Sequence, residues 1–120
     1  HAGVGNGRLT VGVTGVSMDV AREAGRLAQL EDKLDVFGFF PGGDHVPFKE
    51  AGVPTITVVT SGPHRDIHQA TDTADKVQPA ILETVARYAL AAVWLLAQPP
   101  VSPTQTGIEA RTPAEQPAAR

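Results

Sequence analysis

The chain has 120 residues, 42% of them hydrophobic and 19% charged, with ten basic side chains against thirteen acidic ones and a net charge of −3. That balance fits one small soluble domain or part of a larger one, and the scattered basic residues lack the footprint of a nucleic-acid binder. With no cysteine, disulfides and thiolate metal sites are excluded, so a metal here would be held by nitrogen and oxygen. No apolar stretch approaches the roughly 18 residues of a membrane span, and no basic-then-hydrophobic start marks a signal.

Residues 1–7, His1-Ala2-Gly3-Val4-Gly5-Asn6-Gly7, are glycine-rich and read as turn. Beginning without methionine, they suggest a cut chain or a fragment. A dinucleotide fingerprint would set its glycines after a strand and at the opening of a helix, whereas these precede a strand. Residues 8–13 alternate polar or glycine with apolar and suit that strand. Ser17 can cap a helix running to about Leu30, with Asp19 well placed against its dipole and Val20, Ala24, Leu27 and Ala28 as the buried stripe. Glu31-Asp32-Lys33 breaks the pattern, and residues 34–40, rich in phenylalanine, resume as a strand.

Pro41-Gly42-Gly43 turns the chain. Asp44 can cap a short helix that tolerates Pro47 in its first turn and ends at Gly52. The apolar run 53–59 reads as a buried strand, and residues 61–68 as the loop leaving it. A last helix opens near Pro79 and carries Ile81, Leu82, Val85, Ala86, Ala89, Leu90 and Val93 at helical spacing, a face suited to covering a sheet. From residue 98 to 120, Pro, Thr, Ala, Glu and Gln dominate, which predicts a disordered tail or linker after a domain at 1–97.

Alternating strands and helices predict an α/β fold: a partial three-layer sandwich, with a mostly parallel sheet and flanking helices. Three strands and three helices cannot cover both faces of such a sheet, so the domain is expected to be incomplete and the sheet to continue in other polypeptide.

The chemistry gathers in two turns. Asp44 and His45 stand at the mouth of the short helix, and His64, Asp66, His68, Asp72 and Asp75 follow the third strand. Imidazole and carboxylate are zinc's ligands when thiolate is absent, and crevices in open α/β sheets lie at the carboxyl ends of strands, where both groups are expected. The same residue types also suit a plain account: Asp44 and Asp72 as caps, His64 and His68 bonded to loop backbone, and the acids solvated. No H-E-x-x-H and no G-x-S-x-G occurs, so neither a helical zinc motif nor a serine nucleophile is indicated.

Gly-Asp-His-Val-Pro-Phe (43–48), Ala-Gly-Val-Pro (51–54), Gly-Pro-His-Arg-Asp-Ile-His (62–68) and Asp-Thr-Ala-Asp-Lys-Val (72–77) occur in linked order. Together they resemble the end of the co-catalytic zinc aminopeptidases, peptidase family M28, which includes glutaminyl-cyclase relatives. The resemblance covers about 42–97 closely, and 8–40 in strand and helix order alone. It implies a zinc-dependent exopeptidase that removes N-terminal residues from peptides, with two zinc ions in the full domain, at most one held weakly here, and water deprotonated by a glutamate outside this chain.

His68 matches the family's last zinc ligand. Asp44 and His45 match the turn beside the metals, His64 a residue lining the substrate pocket, and Asp66 and Asp72 residues that fix the loop. Ile67 replaces a tyrosine whose hydroxyl stabilises the oxyanion, a loss worth about 2.7–4 kcal/mol of transition-state stabilisation. Gln69 and Gly43 replace a threonine and a serine. The remaining ligands and the base belong upstream in the family, so this chain carries no catalytic residue of its own and the isolated polypeptide is expected to be inactive. A glutaminyl-cyclase-like acyltransferase and a non-catalytic binding domain are the alternatives. The implied partners are a peptide with a free N-terminus and the upstream part of the same domain, with no nucleic acid and no membrane; the relatives imply an exported protein.

Overall fold

The computed structural model describes residues 2–99. Strand β1 (Leu9–Thr14) leads to helix α1 (Met18–Leu27), a 3-10 turn at Glu31–Lys33 and strand β2 (Leu34–Phe37). Helix α2 (His45–Glu50), strand β3 (Thr55–Thr60), a 3-10 turn at Ala74–Lys76 and helix α3 (Pro79–Leu96) follow. The predicted tail lies outside the described residues from residue 100 onward.

The sheet order is β2-β1-β3. Leu9 to Gly12 run parallel to Leu34 to Phe37, whereas β3 is antiparallel to β1, with Leu9 opposite Thr60 and Thr14 opposite Thr55. The α/β sandwich is as expected, but its sheet is mixed, with one parallel and one antiparallel neighbour. Residues 38–54 carry the chain from β2 past the end of β1, and it re-enters from that same end. A parallel β3 would have needed a further crossover along the sheet.

Side chains alternate across β1. Leu9, Val11 and Val13 are buried with Ala21, Ala24 and Ala28 of the first helical segment and with Tyr88 and Ala92 of α3. Ser17 caps α1 by accepting from the Asp19 amide at 3.2 Å. Of the expected α1 stripe, Ala24 and Ala28 are buried, Val20 is half-buried and Leu27 is exposed, and Ala21 and Gly25 join the buried face. Small residues let the helix lie close to the sheet, and at Gly25 an added Cβ would stand 2.5 Å from Leu34 Cδ2.

On α3 the buried row is Ile81, Tyr88 and Ala92, and the expected Leu82, Leu90 and Val93 are exposed. Tyr88 decides this rotation. Its ring is wholly buried and its hydroxyl donates to the Ala21 carbonyl at 3.0 Å, which satisfies the one polar atom that burial would otherwise penalise. Arg87 beside it donates to the Ala28 carbonyl at the end of α1. Contrary to the expectation that no stretch nears membrane-spanning length, α3 has 18 residues of mean hydropathy 1.4, enough by length and composition to cross a bilayer, and only 17% of it is buried. Glu83 and Arg87 divide the apolar run in the sequence.

The N-terminal glycines are more than a turn. Asn6 donates to the Ser61 carbonyl at 2.8 Å and Gln78 to the Gly3 carbonyl at 2.7 Å, so this segment is laid against the exit of β3. A side chain on Gly5 would collide with the Ser61 carbonyl.

Candidate functional site

Strand β2 is shorter than expected because the chain leaves the sheet after Phe37. Phe39 and Phe40 then form the wall of a turn. Opposite the buried face of β1, Gly12 leaves a gap that the Phe40 ring fills: a Cβ there would stand 2.8 Å from Phe40 Cδ1 and Cε1. The Phe37 ring centroid is 5.5 Å from that of Phe40. The His45 ring packs 4.8 Å from Phe40 and 5.6 Å from Phe39, and the Lys49 ammonium lies 4.2 Å over Phe39. His45 Nε2 donates to the Phe40 carbonyl at 3.0 Å. Asp44 occupies the position before α2, yet its side chain makes no capping hydrogen bond. The helix therefore leaves the carboxylate uncommitted, unlike the capping role the residue type suggested.

A cleft of about 620 Å³ opens beside this turn, lined by Phe40 to His45, by Thr57 to Val59 of β3, and by His68. Asp44 and His68 both line it, by a route the sequence rule did not describe. Because β3 is antiparallel, its carboxyl end lies beside the start of β1, where the Ser61 amide donates to the Arg8 carbonyl at 2.8 Å. The two turns thus leave opposite ends of the sheet. The loop doubles back, so that His68 lines the cleft with Thr57 to Val59, and local turns closed by the Gln69 amide on the Asp66 carbonyl (2.8 Å) and the Asp72 amide on the Gln69 carbonyl (3.0 Å) shape it. At the reversal His68 is exposed with a φ of +61°, a left-handed conformation that histidine adopts more readily than most residues.

Four of the predicted residues sit apart from the cleft. His64, Asp66, Ile67 and Asp72 surround a cavity of only about 60 Å³ with Val4, Arg65 and Lys76. His64 is therefore not on the larger cleft; its Nε2 donates to the Thr60 carbonyl at 2.8 Å and ties the loop to the strand it leaves. Asp66 pairs with the Lys76 ammonium at 2.6 Å. That hydrogen bond, followed by one from the Thr71 hydroxyl, holds its carboxyl below the ordinary carboxylate range. Sequence reasoning missed Lys76, Phe40 and Thr57. A glycine in mid-strand marks close approach of another group, and Gly12 was the available signal for Phe40.

The zinc implied by the resemblance needs at least three protein donors. His68, exposed on the cleft, fits as one imidazole donor. Among the described residues, no group of three His, Asp or Glu side chains is placed to hold a metal. The donors present do not make a centre.

No curated protein and no solved structure matches the chain. The model of Peptidase family M28 matches residues 13–93, a span that runs from β1 into α3 and contains both walls of the cleft. The chain belongs to peptidase family M28, a family of metallopeptidases.

Proposed function

We propose that this polypeptide forms one wall of a zinc-dependent aminopeptidase site that cleaves the N-terminal residue from peptides, with His68 giving one imidazole to a metal whose other donors lie in other polypeptide. One observation carries the reading: Asp44 and His68, far apart in sequence and on turns leaving opposite ends of the sheet, line the same cleft. The family match supports peptide-bond hydrolysis as the chemistry. In this arrangement Asp44 and His45 border the space beside the metal donor, and Phe40 with Pro41 gives that space an apolar side. His64, Asp66 and Asp72 act on the conformation of the loop, from outside the cleft.

A single imidazole cannot assemble a metal centre, so the 120-residue chain alone is expected to show no turnover of leucine p-nitroanilide with zinc or cobalt. Co-expression with the polypeptide encoded upstream should restore zinc-dependent turnover, and His68→Ala should remove it. Activity in the restored protein that His68→Ala leaves unchanged would refute the assignment. Robust turnover by the chain alone would refute the incomplete centre.

A further inference from the structure

We infer that His45 is a ligand-contacting residue whose Nδ1 is held as a hydrogen-bond acceptor in the cleft, for an N–H donor of a bound peptide. A carbonyl oxygen can only accept, so Nε2, 3.0 Å from the Phe40 carbonyl, carries a ring proton. In the neutral ring, which has a single N–H, Nδ1 is then the lone pair. The ring cannot easily turn away. Besides the bond to Phe40, it is packed against two aromatic neighbours, Phe40 at 4.8 Å and Phe39 at 5.6 Å, so the direction of the lone pair is set before any ligand arrives.

Gly43 puts no side chain beside that nitrogen. A Cβ at residue 43 would stand 3.2 Å from His45 Nδ1, and the residue has a φ of +103°, which side chains disfavour. Gly43, Asp44 and His45 all line the cleft, and the Asp44 carboxylate is not used in capping α2. Two adjacent acceptors select a donor, the amine or amide end of a peptide. The ligand class rests on the aminopeptidase reading; the tautomer and the open edge do not.

The test is the two-bond ¹H–¹⁵N histidine spectrum of the ¹⁵N-labelled 120-residue chain, assigned with single His→Gln variants, before and after addition of L-leucinamide. The expected result is an Nε2–H tautomer for His45 and a movement of its Nδ1 resonance on saturation. His45→Phe keeps the ring packing against Phe39 and Phe40 but has no acceptor, and it should weaken L-leucinamide binding on the order of tenfold, as loss of one hydrogen bond does. An Nδ1–H tautomer, an unmoved His45 signal, or full affinity in His45→Phe would each overturn the inference. If the contact is present but the protein restored with its upstream polypeptide hydrolyses nothing, the peptidase reading fails and the His45 contact stands.

Discussion

Replacing Gly12 with alanine tests whether the sheet itself positions the cleft wall. The added methyl would stand 2.8 Å from two atoms of the Phe40 ring and 3.2 Å from the Gly38 carbonyl, so the ring must leave its place. Overpacking of this kind costs about 1–3 kcal/mol. Alanine also has fewer unfolded conformations than glycine, which offsets about 0.4–1 kcal/mol. The net expectation is a destabilisation of roughly 0.5–2 kcal/mol, read from urea midpoints at unchanged slope. The decisive comparison is the same substitution in a Phe40→Ala background. There the ring is gone, the penalty falls away, and Gly12→Ala should become neutral or stabilising, giving a coupling of about 1 kcal/mol or more between the two positions. Equal cost in both backgrounds would refute the proposition that Phe40 occupies the gap at Gly12, and with it the account of how His45 and the Asp44 turn are held.

At the end of α1, Gln29 has a φ of +58° while the Leu30 amide reaches back to the Gly25 carbonyl at 2.8 Å, a helix stop usually made by glycine; Gln29→Gly should raise the urea midpoint slightly, since about 1–2 kcal/mol of relieved strain exceeds about 0.4–1 kcal/mol of added unfolded-state freedom, and a lowered midpoint would contradict it. Burial pushes the Tyr88 phenol up to about 12 from 10.0. The folded state thus favours the neutral phenol, and its stabilisation is complete below pH 10, then lost as pH rises toward 12. Tyr88→Phe should abolish that alkaline decline in unfolding free energy, while costing about 0.5–1.5 kcal/mol at neutral pH for the lost bond to Ala21. For Asp66 the sign is opposite: its carboxyl is depressed by Lys76 and then Thr71, so its stabilisation is present above the unfolded carboxylate value and is lost as pH falls through the folded one. Amide exchange at Gln69 and Asp72 should speed up on acidification below about pH 4 relative to global unfolding, and Asp66→Asn should show the faster exchange at neutral pH as well.

Element identity was legible wherever it depended on neighbours in sequence. Ser17, Pro79 and the charged break at Glu31 to Lys33 marked helix limits, and the alternation at 9–13 marked a strand with one buried face. Which face of α3 is buried was not legible, because its apolar residues surround the helix and the bonds from Tyr88 to Ala21 and from Arg87 to Ala28 select among them. Asp44, His45 and His68 were expected together at the carboxyl ends of strands, and they line one cleft. Its geometric basis differs, since carboxyl ends of parallel strands were to bring the two turns together and β3 runs the other way.

The sequence by itself determined the α/β composition, the order of elements and the residue types available to a metal or a peptide, because caps, breakers and periodicity act over a few residues. Tertiary structure alone decided that the loop after β3 folds back along the strand, that Phe40 drops onto Gly12, and that His68 shares a cleft with Asp44 while His64, Asp66 and Ile67 do not. Strand direction and the meeting of distant loops depend on chain closure and packing between residues far apart in sequence, and no local pattern encodes them.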